Sequence, residues 1–311
     1  MRVFVAGASG AIGRPLVPQL VAAGHQVTGT TRSEERAGAI RAAGARAAVC
    51  NALDAEALRA AVAEAAPEVV VHQLTALPDR FDPRDKEIYA ATNRLRAEGT
   101  RHLIDAARAA GARRLVWQSI ALAYAPGAQP EVMDEDARLA VGAPPPFGDG
   151  VRAIDEMERA VVGAEGLEGL VLRYGWFYGP GTYYADDGSM TADVRRRRFP
   201  VIGKGTGLFS FVHVEDAASA TVAAVERGAP GMYNVVDDDP APQREWLPVF
   251  ADAIGAKKPL RVPVWVARLV VGKIATVAGV QPGASNAKAK RELGWEPRWP
   301  SWREGFRDAP R

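Results

Sequence analysis

A glycine-rich turn close to the N-terminus is the feature that most restricts the fold of this chain. The apolar run Arg2–Ala6 is followed by Gly7-Ala-Ser-Gly10-Ala-Ile-Gly13 and then by a helical stretch. In such an arrangement one glycine permits a tight turn, one lets the backbone approach a pyrophosphate, and one lets helix and strand pack closely. The free N–H groups at the helix N-terminus favour an anion. The turn therefore predicts a dinucleotide site.

Short β-branched runs alternate with alanine-rich helical stretches through the first two thirds of the chain. The pattern predicts strands at Arg2–Ala6, Gln26–Thr31, 45–50, 68–72, 113–118 and 169–173, and helices that include Ala55–Ala65 and 92–110. Alternation of this kind implies right-handed crossovers and a parallel sheet covered on both faces. We therefore predict an α/β fold, with a Rossmann doubly wound parallel sheet.

The pattern changes after Arg173, where Gly, Pro, Tyr and Trp become dense over 174–184 and again over 237–300. A helix at 215–227 and a strand at 232–236 still have the character of the sheet layer. We predict an NADP-binding Rossmann domain formed by residues 1–175 plus about 205–236. A smaller C-terminal lobe, formed by about 176–204 plus 237–311, is predicted to bind substrate. Residues 262–280 are predicted to form an amphipathic surface helix.

The end of the second predicted strand indicates which nicotinamide cofactor binds. An NAD site places Asp or Glu there to bind the ribose 2′-hydroxyl, but this chain has Thr30-Thr31-Arg32-Ser33, with Arg36 one turn later. Guanidinium and hydroxyl groups suit a 2′-phosphate, so we predict NADP(H). The alternative is that Arg32 is a solvated loop residue. The predicted cofactor-binding residues are Gly7, Ser9, Gly10, Ala11, Ile12, Gly13, Thr31, Arg32, Arg36 and Leu74.

Composition excludes several classes of function. A net charge of +2 gives no reason to expect binding to nucleic acid. The single cysteine, Cys50, cannot form an internal disulfide, which fits a reducing cytoplasm. No apolar stretch is long enough to span a bilayer, and no His/Cys/Asp/Glu cluster has the spacing of metal ligands. We expect a cytoplasmic monomer or homodimer that acts on a small molecule, without a metal.

Further motifs follow the glycine turn in a fixed order. They are Thr92-Asn93 with Gly99-Thr100 and Leu103, then Val116-Trp-Gln-Ser119 with Tyr124, Arg173-Tyr-Gly-Trp-Phe-Tyr-Gly-Pro-Gly181, and Phe211-Val-His-Val-Glu-Asp216. With these motifs nearly the whole chain resembles the extended short-chain dehydrogenase/reductases, the NAD-dependent epimerase/dehydratase superfamily. The resemblance implies hydride chemistry in which a Tyr-x-x-x-Lys pair and a Ser or Thr move the accompanying proton.

The chain departs from that family at the proton-transfer residues. The Tyr-x-x-x-Lys pair belongs near 147–151, yet there is no tyrosine in 125–173 and no lysine in 87–203. The family's hydroxyl position holds Ile120, with Ser119 one place earlier. The stretch 205–210 also lacks the cation with which family members clamp a nucleotide-sugar diphosphate, so a nucleotide-sugar substrate is disfavoured.

Tyr124 and Ser119 remain as candidate catalytic residues, because both lie at the carboxyl edge of the predicted sheet. In the family this tyrosine is more often a pocket wall, and Ser119 is equally well explained as a structural hydroxyl. Trp176, Tyr178 and Tyr183 are predicted to bind substrate, because such aromatic clusters line apolar pockets.

Three functions fit these observations. The first is an atypical NADPH-dependent oxidoreductase that reduces a small apolar carbonyl or related unsaturated group, with Tyr124, Ser119 or water as proton donor. The second uses the same fold for epimerisation, dehydration or cyclisation without net redox change. The third is a non-catalytic NADP(H) sensor or scaffold, which ranks last because no appended segment is available to contact a partner.

The glycine turn gives a direct prediction. Replacing Gly7, Gly10 or Gly13 with a bulky residue is expected to abolish NADPH binding under every one of these functions, because the backbone then cannot approach the phosphates. Titration of each variant with NADPH checks this. Tight binding by such a variant would contradict the dinucleotide site itself.

Overall fold

Seven parallel strands form the central sheet of the computed structural model, which describes residues 1–78, 80, 87, 89–127, 131–272 and 279–308. The strands of this sheet are β1 Arg2–Ala6, β2 Gln26–Thr31, β3 Arg46–Val49, β4 Val69–His72, β5 Arg114–Ile120, β7 Glu168–Tyr174 and β12 Gly231–Val235. Their spatial order is β12-β7-β5-β4-β1-β2-β3, and every neighbouring pair is parallel. The order reverses between β1 and β4, which is where ligands bind in open α/β sheets.

Helices cover both faces of this sheet. In chain order the helices are α1 Gly13–Ala22, α2 Glu34–Ala42, α3 Ala55–Ala65, α4 Ala90–Arg94, α5 Thr100–Ala109, α6 Phe147–Val162, α7 Ser189–Arg195, α8 Val214–Glu226, α9 Gln243–Ala253, α10 Val264–Val271, α11 Ala287–Leu293 and α12 Trp302–Asp308. Val3 and Val5 of β1 pack into the core under α1 and α8, whereas Phe4 packs under α3, α5 and α6. This alternation is the two-residue period of a strand buried on both faces. The predicted Rossmann fold is confirmed.

Four short two-stranded pairings surround the sheet in the described part of the chain. They involve β6 Val132–Met133, β8 Trp176–Tyr178, β9 Val201–Ile202, β10 Leu208–Phe209, β11 Phe211–His213, β13 Ala241–Pro242, β14 Arg261–Val262 and β15 Gly283–Ala284. Each pairs with a strand distant in sequence: β6 with β15, β8 with β11, β9 with β14, and β10 with β13. These pairings connect residues after β7 to one another and to the loop before α6.

The helix predicted over 92–110 has an irregularity that the sequence did not indicate. It begins at Ala90, and between α4 and α5 it contains a five-residue π-helical segment, Leu95–Gly99. The helix predicted over 262–280 is shorter than expected, since α10 ends at Val271 and Gly272 takes a positive φ of 69°. The remainder of that prediction falls partly on 273–278, outside the described residues.

A third cluster of buried side chains lies away from the sheet and is dominated by aromatic rings. It includes Tyr178, Tyr184, Phe211, Trp246, Trp302 and Phe306. Two buried carboxylates fix the C-terminal segment against it: Asp216 accepts hydrogen bonds from the N–H groups of Arg298 and Trp299, and Asp237 accepts one from Trp302. These contacts are compatible with the predicted smaller lobe, whose boundaries stay a prediction.

Candidate active site

The glycine turn lies between the carboxyl ends of β1 and β4. Gly7 has a φ of 93°, and a Cβ placed on it would come within 2.6 Å of the Gln73 carbonyl oxygen. A Cβ on Gly13 would come within 2.6 Å of the Ala8 carbonyl oxygen. Both positions therefore require glycine, one because of its backbone conformation and both because other backbone lies so close. The turn is held in a compact form that brings its N–H groups together.

Those N–H groups are available to a ligand. Ile12, the residue before α1, has no side-chain cap, and no acceptor within the described residues bonds the N–H groups of Ala11 or Ile12. Ser9 is tied to the second strand, because its hydroxyl donates to Thr31 Oγ1 at 3.2 Å. Free N–H groups at a helix N-terminus suit a pyrophosphate, so the residues present fit a dinucleotide.

The tip of β2 carries the predicted cations. Arg32 and Arg36 are both exposed, and neither is ion-paired with a carboxylate in the part of the chain that the structure describes. Thr31 is buried beneath them, where its hydroxyl also receives the N–H of Ser33 at 3.5 Å. The structure thus brings Ser9, Thr31 and the two guanidinium-bearing residues to the same corner as the glycine turn.

Polar contacts under β4 fix the loop that follows it. Leu74 N–H donates to His72 Nδ1 at 3.3 Å, so the imidazole proton lies on Nε2, which faces Thr100 Oγ1 at 3.3 Å. The Trp117 indole donates to the same hydroxyl at 2.9 Å. Leu74, predicted to bind cofactor, therefore has a fixed backbone beside Gly7, with its N–H 3.2 Å from the Cβ position of that glycine.

Ser119 is buried and joined to an ion pair. Its hydroxyl donates to Glu158 Oε1 at 2.6 Å. The Glu158 carboxylate also accepts hydrogen bonds from two guanidinium nitrogens of Arg173, at 2.9 and 2.6 Å. Burial opposes the charge on Arg173, but the adjacent Glu158 carboxylate outweighs it and raises the pKa of the guanidinium. The Ser119 hydroxyl is thus already engaged in a hydrogen bond to a buried carboxylate.

Tyr124 belongs to the same network. Its hydroxyl donates to Asn234 Oδ1 at 2.7 Å and accepts from Arg173 Nη1 at 3.0 Å. Burial raises the pKa of this phenol, although the cation of Arg173 works in the opposite direction. The family's catalytic tyrosine needs a lowered pKa, so these surroundings do not favour Tyr124 as an acid at neutral pH.

The segment expected to hold the family's Tyr-x-x-x-Lys pair begins α6. Phe147 starts the helix half-buried, and Val151 is buried in a small apolar cluster. Gly150 is buried, and a Cβ there would be in ordinary contact with Asn93 Oδ1, at 3.8 Å. The helix therefore faces Asn93 with neither a phenol nor an ammonium group.

The three predicted substrate-binding aromatics have different surroundings. Trp176 is half-buried and stacks on Phe209 with ring centroids 5.5 Å apart. Tyr183 is half-buried, and its hydroxyl donates to the Pro78 carbonyl oxygen at 2.6 Å, which ties it to the loop after β4. Tyr178 is buried in the aromatic cluster against Phe306, where burial raises the pKa of its phenol. Trp176 and Tyr183 remain at the edge of the site.

Two functional candidates were not predicted from the sequence. Glu158 lies on the buried face of α6 with Val151, Ile154 and Val161, so a carboxylate within an apolar stripe was the available signal. Arg96 likewise lies on a buried stripe, with Thr92, Thr100 and Leu103. A charge at a core-facing position is rare unless it is paired or functional.

Sequence comparison identifies the family. A model of the NAD dependent epimerase/dehydratase family matches residues 3–235. The chain belongs to this family. A relative from Streptomyces sp, named 3-diazoavenalumate denitrifying reductase, is 51% identical over 309 residues, covering 98% of this chain and 99% of the relative. The family membership and this similarity support an NAD(P)-dependent oxidoreductase, and they confirm the resemblance to the extended short-chain dehydrogenases.

More distant proteins share the same fold. A relative from Stigmatella aurantiaca is 29% identical over 276 residues, covering 86% of this chain and 78% of the relative. It is named 4-hydroxy-2-methyl-3-oxo-4-farnesyl-3,4-dihydroquinoline-1-oxide ketoreductase. A human epimerase family protein solved with NADPH superposes with a TM-score of 0.72 at 22% identity, covering 99% of both chains. The crystal structure supports the fold alone.

No group of three or more potential metal ligands occurs within the described ranges. Within the same ranges, no helix is long and apolar enough to cross a membrane.

His72 generates a prediction about pH. Burial lowers its pKa to about 3 from an ordinary value of 6.5, and the nearby charge of Arg96 acts in the same direction. Between these values the unfolded chain binds a proton that the folded chain does not, so the folded state loses stability as the pH falls from about 6.5 towards 3. The slope from this residue is about 1.4 kcal/mol per pH unit.

The measurement compares the wild type with His72→Asn by chemical denaturation between about pH 7 and 5. Asparagine keeps an acceptor for the Leu74 N–H but does not titrate, so the stability of the wild type should fall relative to the variant as the pH falls. A pH-independent difference would show that His72 is not held neutral.

Proposed function

We propose that this protein is an NADPH-dependent reductase of a carboxylate-bearing diazo compound in its diazonium form, in which hydrogen replaces the –N₂⁺ group and dinitrogen is released. The observation that carries the proposal is that both candidate hydroxyls, those of Ser119 and Tyr124, are buried and already hydrogen-bonded. Helix α6 carries neither a tyrosine nor a lysine in their place. A reaction that consumes no proton fits such a site.

Carbonyl reduction and diazo reduction differ in their need for an acid. Hydride addition to a carbonyl leaves an alkoxide, and losing the tuned proton donor typically costs roughly 10²- to 10⁴-fold in rate. A diazonium substrate that gains a hydride releases dinitrogen, which takes the carbon–nitrogen bonding electrons. The balance is R–N₂⁺ plus H⁻ giving R–H plus N₂, so no protein acid is required. The relative that is 51% identical is named for a diazo compound and for denitrification, which supports this substrate class.

When bound, the nicotinamide supplies the hydride. The glycine turn would bind the pyrophosphate, and the fixed loop at His72 and Leu74 would position the cofactor beside the sheet edge. Trp176 and Tyr183, which contact Phe209 and the Pro78 carbonyl oxygen respectively, would exclude water from the substrate. Exclusion of water suppresses hydrolysis of a reactive diazonium group.

Arg32 and Arg36 support the choice of NADPH over NADH. Their side chains are exposed, without a carboxylate partner in the described chain, at the strand tip where a 2′-phosphate would lie. No acidic residue stands at this tip to bind a ribose 2′-hydroxyl, because the residues there are Thr30, Thr31 and Arg32.

The second candidate is reduction of a small apolar carbonyl, favoured by the 29% identical ketoreductase. It requires a proton from Tyr124, Ser119 or water. We rank it second because Tyr124 has a raised pKa and the Ser119 hydroxyl donates its hydrogen bond to Glu158. The non-redox and sensor alternatives rank lower, since both relatives are named as reductases.

The reaction is tested with 3-diazoavenalumate and NADPH carrying deuterium at the transferable C4 position. We expect one dinitrogen released per NADPH oxidised and deuterium at the carbon that bore the diazo group. In D₂O with ordinary NADPH, that carbon should gain no deuterium from solvent. Turnover of apolar ketones with none of the diazo compound would instead establish carbonyl reduction.

Cofactor choice is tested separately. Arg32→Ala is expected to weaken NADPH binding roughly 10- to 100-fold, the loss typical of a charge-assisted hydrogen bond, and to leave NADH binding unchanged. Arg41→Ala is the matched control, because Arg41 lies on α2, the helix that follows Arg32, but is ion-paired with Glu34 at 2.7 Å. Equal losses for NADPH and NADH in Arg32→Ala would refute a 2′-phosphate contact.

A further inference from the structure

Arg96 is a buried cation with no carboxylate partner among the described residues. Only 7% of the residue is exposed, and its side chain donates to Asn93 Oδ1 at 3.3 Å. Within the described residues no Asp or Glu forms an ion pair with it. The other buried arginines are both paired, Arg114 with Glu168 at 2.8 Å and Arg173 with Glu158 at 2.6 Å. Arg96 thus differs from every other buried arginine of the described chain.

An unpaired buried guanidinium is unfavourable. Moving a charged group from water into the protein interior is unfavourable. In a buried ion pair, the attraction of the partner charge offsets this cost. Burial lowers the pKa of Arg96 to about 10, and nearby Tyr89 only partly offsets this. The group still carries its charge at neutral pH, and among the described residues no carboxylate offsets the cost of burying it. An anion that bound beside it would remove that penalty.

The position of Arg96 indicates which ligand could reach it. Asn93, its hydrogen-bond partner, has its Oδ1 atom 3.8 Å from the Cβ position of Gly150, near the start of α6. The charge of Arg96 also acts on His72, at the carboxyl end of β4. The guanidinium therefore lies near both the carboxyl end of β4 and the start of α6, at the edge of the sheet where ligands bind in this architecture. The π-helical segment Leu95–Gly99 that carries it is of a kind frequently found at functional sites.

We propose that Arg96 binds the carboxylate of the substrate. The planar guanidinium can form two parallel hydrogen bonds to a carboxylate, which fixes the orientation of the substrate as well as its charge. This proposal rests on the function proposed above only for the substrate class, since a diazo carboxylate supplies the anion. The remote carboxylate would orient the reacting carbon towards the hydride donor.

Binding of an unreactive probe tests the proposal without turnover. The probe is 4-hydroxycinnamate, compared by calorimetry with its neutral amide, on enzyme saturated with NADP⁺. We expect the wild type to prefer the acid and Arg96→Met to lose roughly 10- to 100-fold in affinity for the acid alone. Arg96→Lys should keep part of the preference, because it keeps the charge without the planar fork.

Arg94→Met is the matched control. Arg94 lies two residues earlier on the same helical region, is exposed, and pairs with Glu98 at 3.1 Å. It should bind the acid and the amide like the wild type. Affinity for NADPH should be unchanged in all variants, which separates a substrate carboxylate from a cofactor phosphate.

Thermal stability without ligand provides a second measurement. If Arg96 exists to bind an anion, Arg96→Met removes an unpaired buried charge and should raise the Tm of the ligand-free protein. A lower Tm with equal loss of acid and amide binding would assign Arg96 a structural role and overturn the proposal, as would a wild type without preference for the acid. Preference for the acid that depends on Arg96, together with failure of the diazo assay, would refute only the proposed reaction.

Discussion

The buried ion pair between Glu158 and Arg173 is the interaction on which the chemistry of this site depends. It joins α6 to β7, receives Ser119 from β5, and through Tyr124 reaches Asn234 on β12. Removing one partner of such a pair typically costs roughly 3–5 kcal/mol, because the other charge is left buried. The Ser119 and Tyr124 hydroxyls are held in place because they hydrogen-bond to the charged groups of this pair. A hydroxyl that satisfies a buried charge cannot also transfer a proton without exposing that charge.

This constraint explains how the family fold can persist without the family's proton relay. The glycine turn and the sheet edge depend on backbone geometry, and neither depends on Tyr-x-x-x-Lys. At α6 the helix instead presents Phe147, Gly150 and Val151. Hydride transfer to a group that leaves as dinitrogen needs binding and orientation, both of which this scaffold retains. On the proposed reaction, loss of the acid would narrow the range of substrates without preventing catalysis.

The sequence predicted the elements whose signals are local. The bounds of β1, β2 and α3 agree with the predictions, because β-branched runs and an Asp54 N-cap that accepts from Ala57 N–H specify them within a few residues. The π-helical segment and the network at Arg173 were not predictable in this way. Glu158 and Arg173 are 15 residues apart, and Tyr124 and Asn234 are 110 apart, so only the folded sheet brings them together. Tyr178 was predicted at the pocket from aromatic density, yet that density equally describes the buried cluster in which it lies.

A charge without a partner costs little free energy at the protein surface and much more in the interior. An exposed guanidinium such as Arg32 or Arg36 keeps its hydration, so its lack of a carboxylate costs little and is only compatible with a 2′-phosphate. At Arg96 the hydration is gone and no carboxylate replaces it within the described chain. On the proposal made above, an anion that bound beside Arg96 would offset this cost. The buried arginine is therefore the stronger indication of what the substrate carries, even though the exposed ones were easier to find in the sequence.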